Sequence, residues 1–326
     1  MLPSYSIAIR TLGTSGDKFV RELNSIAKQT IKPDKVIVYI AEGYKRPQYS
    51  IGIEQYVEVK KGMVAQRALE YTEIKSDYIL MLDDDVELAP NSVELLLNVA
   101  DENMADCVAA DTFQNHKMNA KTKLYNLVVN LVFPHYNKKW AFKIHSNGTF
   151  SYINRPSQQY YLSQSAAGPA SLWKKDSFLR IKYSDELWLD QLGFAYGDDA
   201  LFFHKLYKNG MKLGVLFESG IVHLDGKTSS SSHHSNTKKF YTKSFATFVI
   251  WHRTCRNVKN KRMLYKIITD ISFGAKAIWL IPIHLITAVK FKNLSVFINY
   301  IKGIYDGIKY VKSNEYKSIP NFIVAK

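Results

Sequence analysis

The five apolar residues Tyr78-Ile79-Leu80-Met81-Leu82 run without interruption into Asp83-Asp84-Asp85. A short apolar run bounded by charge reads as a buried strand. In an open α/β sheet, ligands bind just beyond the carboxyl ends of the strands, which is where these three carboxylates fall. Adjacent carboxylates repel one another and are costly to hold together without a neutralising cation. Hard divalent ions such as Mg²⁺ or Mn²⁺ suit carboxylate oxygens and often bridge a protein to phosphate groups. The triplet reads either as a metal–diphosphate site or as a solvated acidic loop after a strand.

The flanking segments alternate between the two periodicities. Tyr5–Ile9 reads as a strand. Asp17 is placed to cap a helix whose apolar face is Phe19, Leu23 and Ile26. Lys35–Ile40 and Tyr56–Val59 read as strands, and Met63–Tyr71 has a helical pattern. Pro90 suits the first turn of a helix with Val93, Leu96, Leu97 and Ala100 on its inner face. Cys107–Ala110 is a further short strand. This βαβ alternation predicts a doubly wound, mainly parallel sheet.

Residues 115–165 are rich in Tyr, Asn, Lys and His and weakly periodic; Ala120–Val132 reads as a helix. The small residues Ser165 to Ala170, including Gly168 and Pro169, precede Ser171-Leu172-Trp173. Gly197-Asp198-Asp199 opens a helix through Asn209, with Gly210 at its C-terminus. Lys212–Phe217 and Ile221–His223 read as short extended pieces. Lys227–Lys238 is polar and low in complexity and reads as a flexible loop.

Charge divides the chain unevenly. Residues 1–226 hold 26 basic and 26 acidic side chains, whereas residues 227–326 hold 18 basic and 3 acidic, so the whole +15 sits in the last hundred residues. A neutral body with a basic tail suits an anionic surface, either nucleic acid or anionic lipid. The two cysteines, Cys107 and Cys255, lie too far apart for a CxxC metal pair and fit a reducing compartment. The chain enters a strand-like run almost at once, without a basic segment followed by an apolar one, so a cytoplasmic location without a signal peptide is expected.

Taken in order, several motifs resemble those of a family 2 glycosyltransferase. Ser6-Ile7-Ala8-Ile9-Arg10-Thr11 is similar to the opening strand of that family, and Lys28-Gln29-Thr30 to a phrase before its second strand. Gly62-Met63-Val64-Ala65-Gln66-Arg67 resembles its glycine-to-arginine helix start, and Asp83-Asp84-Asp85 its DxD metal motif. Gly197-Asp198-Asp199 resembles its Glu-Asp catalytic-base motif, and Ile221-Val222-His223 its late histidine. Two positions depart from the pattern. Ala41-Glu42-Gly43-Tyr44 stands where Asp-Asp-Gly-Ser is usual, and Arg10-Thr11 where Pro-Thr is usual. Both touch the nucleotide pocket and leave its base open.

The resemblance spans about Ser4 to His223 and implies a GT-A fold, a Rossmann-like α/β domain with a mainly parallel central sheet flanked by helices. It implies a nucleotide-diphosphate sugar as donor, Mn²⁺ or Mg²⁺ as cofactor, and inversion at the anomeric carbon. Asp83 and Asp85 would hold the metal, with His223 either completing its shell or serving as a buried structural histidine. Asp84 would orient the ribose, and Thr11, Glu42 and Arg67 would lie near the nucleotide. Gly168 and Pro169 would lie beside donor sugar and acceptor. Asp199 would be the general base, with Asp198 as the alternative; one of the pair can instead cap its helix. Trp173 and Trp188 suit core packing better than sugar stacking, and His233 and His234 suit a solvated linker.

The expected organisation is a catalytic domain over residues 1–226, divided at about 112 into nucleotide and acceptor halves. A polar loop (227–238) and a basic amphipathic helical region (239–326) follow. Within Ile267–Phe291 the cleanest apolar stretch, Ala277–Val289, has 13 residues. A spanning helix needs about 20. Asp270, Lys276, Pro282 and His284 further oppose a span. The pattern suits helices lying on the cytoplasmic face of a membrane, with a true span and a soluble helical subdomain as the alternatives. Phe297–Tyr310, with Gly303 and Gly307, is similar to the C-terminal helix of bacterial family members. The expected acceptor is a lipid-linked saccharide of surface glycan assembly. The competing classes are a nucleotidyltransferase, which would release pyrophosphate, and a nucleic-acid-binding protein with a basic tail. The tail is unusually apolar for the latter, and the acidic triplet would repel nucleic acid.

Overall fold

The strand ahead of the acidic triplet is central. A computed structural model describes residues 3–112, 139–153, 156–193, 196–224, 238–258 and 262–323. Expectations for Ala120–Val132, for 227–237 and for His233 and His234 fall outside the described residues. The first strands in chain order are β1 (Tyr5–Thr11), β2 (Val36–Ala41), β3 (Glu54–Val59), β4 (Tyr78–Asp83), β5 (Val86–Leu88) and β6 (Cys107–Ala110). Then come β7 (Phe142–Ile144), β8 (Phe150–Tyr152), β9 (Tyr160–Leu162), β10 (Ala170–Lys174), β11 (Leu213–Leu216) and β12 (Ile221–His223). The main sheet has eight strands in the order β3-β2-β1-β4-β10-β6-β11-β9. Six of them run parallel, while β10 and β9 run against their neighbours.

Both faces of the sheet are covered, which explains the unbroken apolar run of β4. Tyr78, Leu80 and Leu82 face a core built with helices α1 (Asp17–Ala27) and α2 (Ser92–Glu102). Ile79 and Met81 face the opposite core, with Trp173, Leu201 and Phe203. Successive side chains of a strand alternate between faces, so both registers must be apolar. The predicted inner faces of α1 and α2 are buried. Asp17 opens the first turn of α1, but it makes no side-chain cap there; Gly16 precedes it.

Met63–Tyr71 does not form the expected helix: it is a succession of tight turns. The reason is non-local. Both oxygens of Asp190 accept the Val64 and Ala65 amides at 2.9 Å, and Tyr71 takes a positive φ of 50°. The residues that begin this turn run are thus held by a carboxylate more than a hundred positions away.

The second half adds α3 (Lys175–Arg180), a 3₁₀ segment (Tyr183–Leu192) and α4 (Asp198–Lys208), preceded by Gly197 in the left-handed region. Helices α5 (Lys238–Trp251), α6 (Met263–Lys290), α7 (Ser295–Tyr310) and α8 (Asn314–Ser318) follow. They do not hang from the body. Phe245, Phe248, Trp251, Phe273, Tyr316 and Phe322 belong to the same core cluster as Trp173 and Leu201. Helices α5 and α7 approach closely because Gly303 and Gly307 face Ser244 and Phe248; a Cβ at 303 would collide with the α5 backbone at Tyr241.

Helix α6 is continuous over 28 residues and runs through Pro282. Pro282 can remove only one intrahelical bond, to Ile278. Packing on both sides carries the helix through: Phe273 stacks on Trp251 at 4.2 Å and His284 on Tyr300 at 4.0 Å. By length and composition α6 is able to cross a membrane. One face is nonetheless packed, with Thr269, Phe273 and Ala288 buried.

Candidate active site

Three pairings bring the site together at the carboxyl edge of the sheet. β1 and β4 run in register so that Arg10 lies opposite Asp83. β10 runs against β4 with Ala170 opposite Leu82, so Gly168 and Pro169 arrive beside the triplet, and the Asp83 amide donates to the Pro169 carbonyl at 2.9 Å. The ribbon of β5 and β12 sets His223 opposite Val86, and the Leu224 amide donates to the Asp85 carbonyl at 2.8 Å.

Asp83, Asp85 and His223 each offer a ligand atom, and these atoms lie within 4.8 Å of one another. His223 Nε2 is 3.0 Å from Asp85 Oδ1. Two carboxylate oxygens and an imidazole nitrogen, all partly exposed, form a donor set that fits Mn²⁺ or Mg²⁺. Burial raises the cost of ionising Asp83, but Arg10 and Arg67 outweigh it and hold its pKa below the ordinary value. Arg10 ion-pairs Asp83 directly. Asp84 has a raised pKa, chiefly from burial, against which the Thr11 and Ser15 hydroxyls act. Thr11 donates its hydroxyl to Asp84 and accepts the Gly13 amide at 2.7 Å. Gln66 fastens this corner by donating to the Thr11 carbonyl at 3.1 Å. Glu42 sits at the exposed end of β2, its amide bonded to the Val59 carbonyl; among the described residues its side chain makes no contact with the acidic cluster.

The second part of the site is built around Arg67, which is buried. Its Nη1 lies 2.9 Å from Asp198 Oδ2 and also contacts Asp199 Oδ1, the latter without hydrogen-bond geometry. Burial works against the Arg67 charge, but Asp199, Asp198 and Asp83 together hold it firmly protonated. Its Nη2 is buried without a hydrogen-bond partner. The two aspartates differ in setting. The Asp198 side chain is 13% exposed, and burial, followed by the neighbouring Asp199, raises its pKa. The Asp199 side chain is 39% exposed, and its Oδ2 accepts the Gly168 amide at 3.2 Å.

Gly168 is required by space: a Cβ there would overlap both the Asp199 carboxylate and Arg67 Nη2. Gly168→Ala is expected to cost about 1–3 kcal/mol of stability through overpacking. It should lower catalytic turnover by about 100-fold through misplacement of Asp199. Thermal unfolding and steady-state rates measure the two effects separately.

Trp173 and Trp188 lie in the core. Trp173 Nε1 donates to Ser171 at 2.8 Å and its ring stacks on Phe203; Trp188 Nε1 donates to Glu186 at 3.0 Å.

Glu22, on the inner face of α1, is a buried carboxyl near the acidic triplet that reading by periodicity passes over. It is fully buried, and neither carboxyl oxygen has a hydrogen-bond partner within ordinary geometry. Burial first, then Asp84, Asp83 and Asp85, push its pKa well above the usual value, with the Val86 amide acting weakly in opposition. A raised acid pKa means that the folded state keeps a proton the unfolded state has released. Stability therefore falls as pH rises from about 4.5 towards the folded pKa. In metal-free protein, Glu22→Gln is expected to raise the melting temperature at pH 7 and to lose that advantage near pH 4.5, measured by thermal unfolding across pH.

The strand order, the reversed β10 and the edge site define a GT-A glycosyltransferase fold. Solved structures share it, two of them as follows. The structure of GalNAc-T7 with UDP, GalNAc and Mn²⁺ aligns over 98% of this chain at 11% identity and a TM-score of 0.52. That of S. aureus TarS (residues 1–349) with UDP-GlcNAc aligns over 94% at 13% identity and 0.52. The chain spans 58% of the length of the former and 81% of the latter. A search of curated protein sequences gives no significant match. The family model for glycosyl transferase family 2 matches residues 17–157, which include the acidic triplet. Over those residues, which are less than half of its length, the chain is similar to glycosyltransferase family 2.

Proposed function

We propose that this protein transfers a sugar, with inversion, from a nucleotide-diphosphate sugar to a lipid-linked saccharide in surface glycan assembly. The observation that carries the reading is the pairing, through Arg67, of a metal-type cluster with one accessible carboxylate. Asp83, Asp85 and His223 converge on one side, and Asp199 stands beside Gly168 on the other. Asp199 accepts the proton of the acceptor hydroxyl as its oxygen bonds to the anomeric carbon. The bond from that carbon to the diphosphate oxygen breaks, and the nucleoside diphosphate leaves with the electron pair. Asp198 keeps Arg67 in place. Thr11 and Asp84 face the ribose, and Glu42 the base side. A divalent ion held by Asp83, Asp85 and His223 would supply positive charge against the leaving diphosphate. UDP and Mn²⁺ in GalNAc-T7, and UDP-GlcNAc in TarS, support a donor of this class.

The protein sits on the cytoplasmic face of a membrane through residues 239–326. Leu264, Ile267, Ile271, Ile278, Leu285 and Val289 form an exposed stripe along α6, with Ile278 at 69%. Their spacing of three, four and seven residues sets them on one side, opposite the packed face, as in a helix lying in the interface.

The test is a thermal-shift panel of UDP, dTDP, GDP and CDP, each with and without Mn²⁺. A ligand at 100 times its Kd stabilises the fold by about 2.7 kcal/mol. One diphosphate that stabilises only with metal supports the reading and names the base. No shift with any of them, in folded protein, overturns it.

A further inference from the structure

Beside Asp199 opens a cavity of about 500 Å³. Its catalytic wall includes Ala167, Asp199 and Tyr152, and its far wall is α5, α6 and α7. Most of its surface is aromatic or aliphatic, yet Lys243 and Lys276 both open into it. Neither has a carboxylate within ion-pair distance among the described residues. Lys276 donates to the Asn147 carbonyl at 3.2 Å and lies 5.4 Å from the centre of the Phe273 ring; Lys243 lies 5.2 Å from that of Tyr196. Lys276 is partly buried and lines the cavity. That burial, with Lys243 adding repulsion, lowers its pKa to about 8.

A lysine such as Lys276 inside an apolar chamber, with the more exposed Lys243 also lining it, is costly unless the occupant brings negative charge. The chamber also has a hydrocarbon side. Phe273, Lys276, Ala277, Leu280 and His284 form the inner face of α6, and the exposed apolar stripe forms its outer face. The helix is thus a wall between the cavity and the surface assigned above to the membrane.

We propose that this cavity is the acceptor site, and that it selects a saccharide joined through phosphate to a hydrocarbon chain, with Lys243 and Lys276 pairing the phosphate. The apolar lining takes the first part of the chain, and the sugar beyond the phosphate reaches Asp199. This rests on the glycosyltransferase reading and adds the chemistry that recognises the acceptor. The polarity follows from the position of Asp199, which must meet the reacting hydroxyl.

The experiment is calorimetric titration of the full-length protein with octyl phosphate, octyl glucoside and inorganic phosphate, all below micellar concentration. Octyl phosphate is expected to bind at least tenfold tighter than either control, because only it supplies both charge and chain. In the variant Lys243→Gln/Lys276→Gln its affinity is expected to drop to that of octyl glucoside, with the metal-dependent nucleotide shift unchanged. Octyl glucoside binding as tightly as octyl phosphate to the wild-type protein would overturn the anionic requirement. Inorganic phosphate binding as tightly would reduce the site to one for a free anion and overturn the proposal equally. The wild-type comparison stands if the variant fails to fold. A nucleotide shift without octyl phosphate binding defeats this inference alone, whereas loss of the nucleotide shift defeats the transferase reading.

Discussion

Asp199→Asn is expected to lower sugar transfer by roughly 10²–10⁴-fold, the usual contribution of a positioned general base. The amide keeps the shape of the side chain and can still meet the Gly168 amide through its oxygen, but it cannot take the acceptor proton. Nucleotide binding, read as the metal-dependent thermal shift, should remain. Asp198→Asn should give a different profile. Asp198 is the more buried member and the one that accepts a hydrogen bond from Arg67, so its loss should appear in stability as well as in rate. A fully active Asp199→Asn protein would remove Asp199 from the role of base. Single-turnover rates, taken with melting curves, separate the two aspartates.

The largest stability loss is expected far from the chemistry, at Glu186. This carboxylate is completely buried and accepts from Arg253 Nε at 2.6 Å and Nη2 at 2.7 Å, from Lys205 Nζ at 3.0 Å and from Trp188 Nε1 at 3.0 Å. Glu186→Gln leaves Arg253 buried without its counter-charge and takes one of two carboxylates from Lys205. Breaking a buried pair on one side costs about 3–5 kcal/mol. Domains have only about 5–15 kcal/mol in total. The double variant Glu186→Leu/Arg253→Met should be milder than Glu186→Gln because it strands less charge. Denaturant unfolding measures both. Burial opposes the Glu186 charge, but Arg253 and Lys205 prevail and depress its pKa. The stabilisation is therefore present above the unfolded value near 4.5 and is lost as pH falls through the folded value.

What the sequence makes legible follows the range of the interactions. The strand before the triplet, the inner faces of α1 and α2, Gly197 before α4 and the extended Ile221–His223 are local patterns, and each is found in place. The turns at 63–71 are set by Asp190, and no periodicity within those residues reports it. Arg10 becomes a partner of Asp83 only through the register of two strands that are adjacent in the sheet but separated by two others in sequence. Arg67 and Asp198 meet across 131 residues. Glu22 had a visible signal: it sits among Phe19, Leu23 and Ile26 on a face that is otherwise apolar. Lys276 had none, because a lysine within an apolar helical stretch looks the same whether the charge points to water or into a chamber.

The shared core has a practical consequence for anyone handling this protein. Shortening the chain at about residue 226 would strip Phe248, Trp251, Phe273 and Tyr316 from a cluster that also holds Trp173 and Leu201. A wide aromatic surface would then meet solvent, and such fragments are prone to aggregate. To reduce the exposed apolar surface while keeping the protein folded, the gentler route is repainting: polar substitutions at Ile271, Ile278 and Ile286, which already face outward.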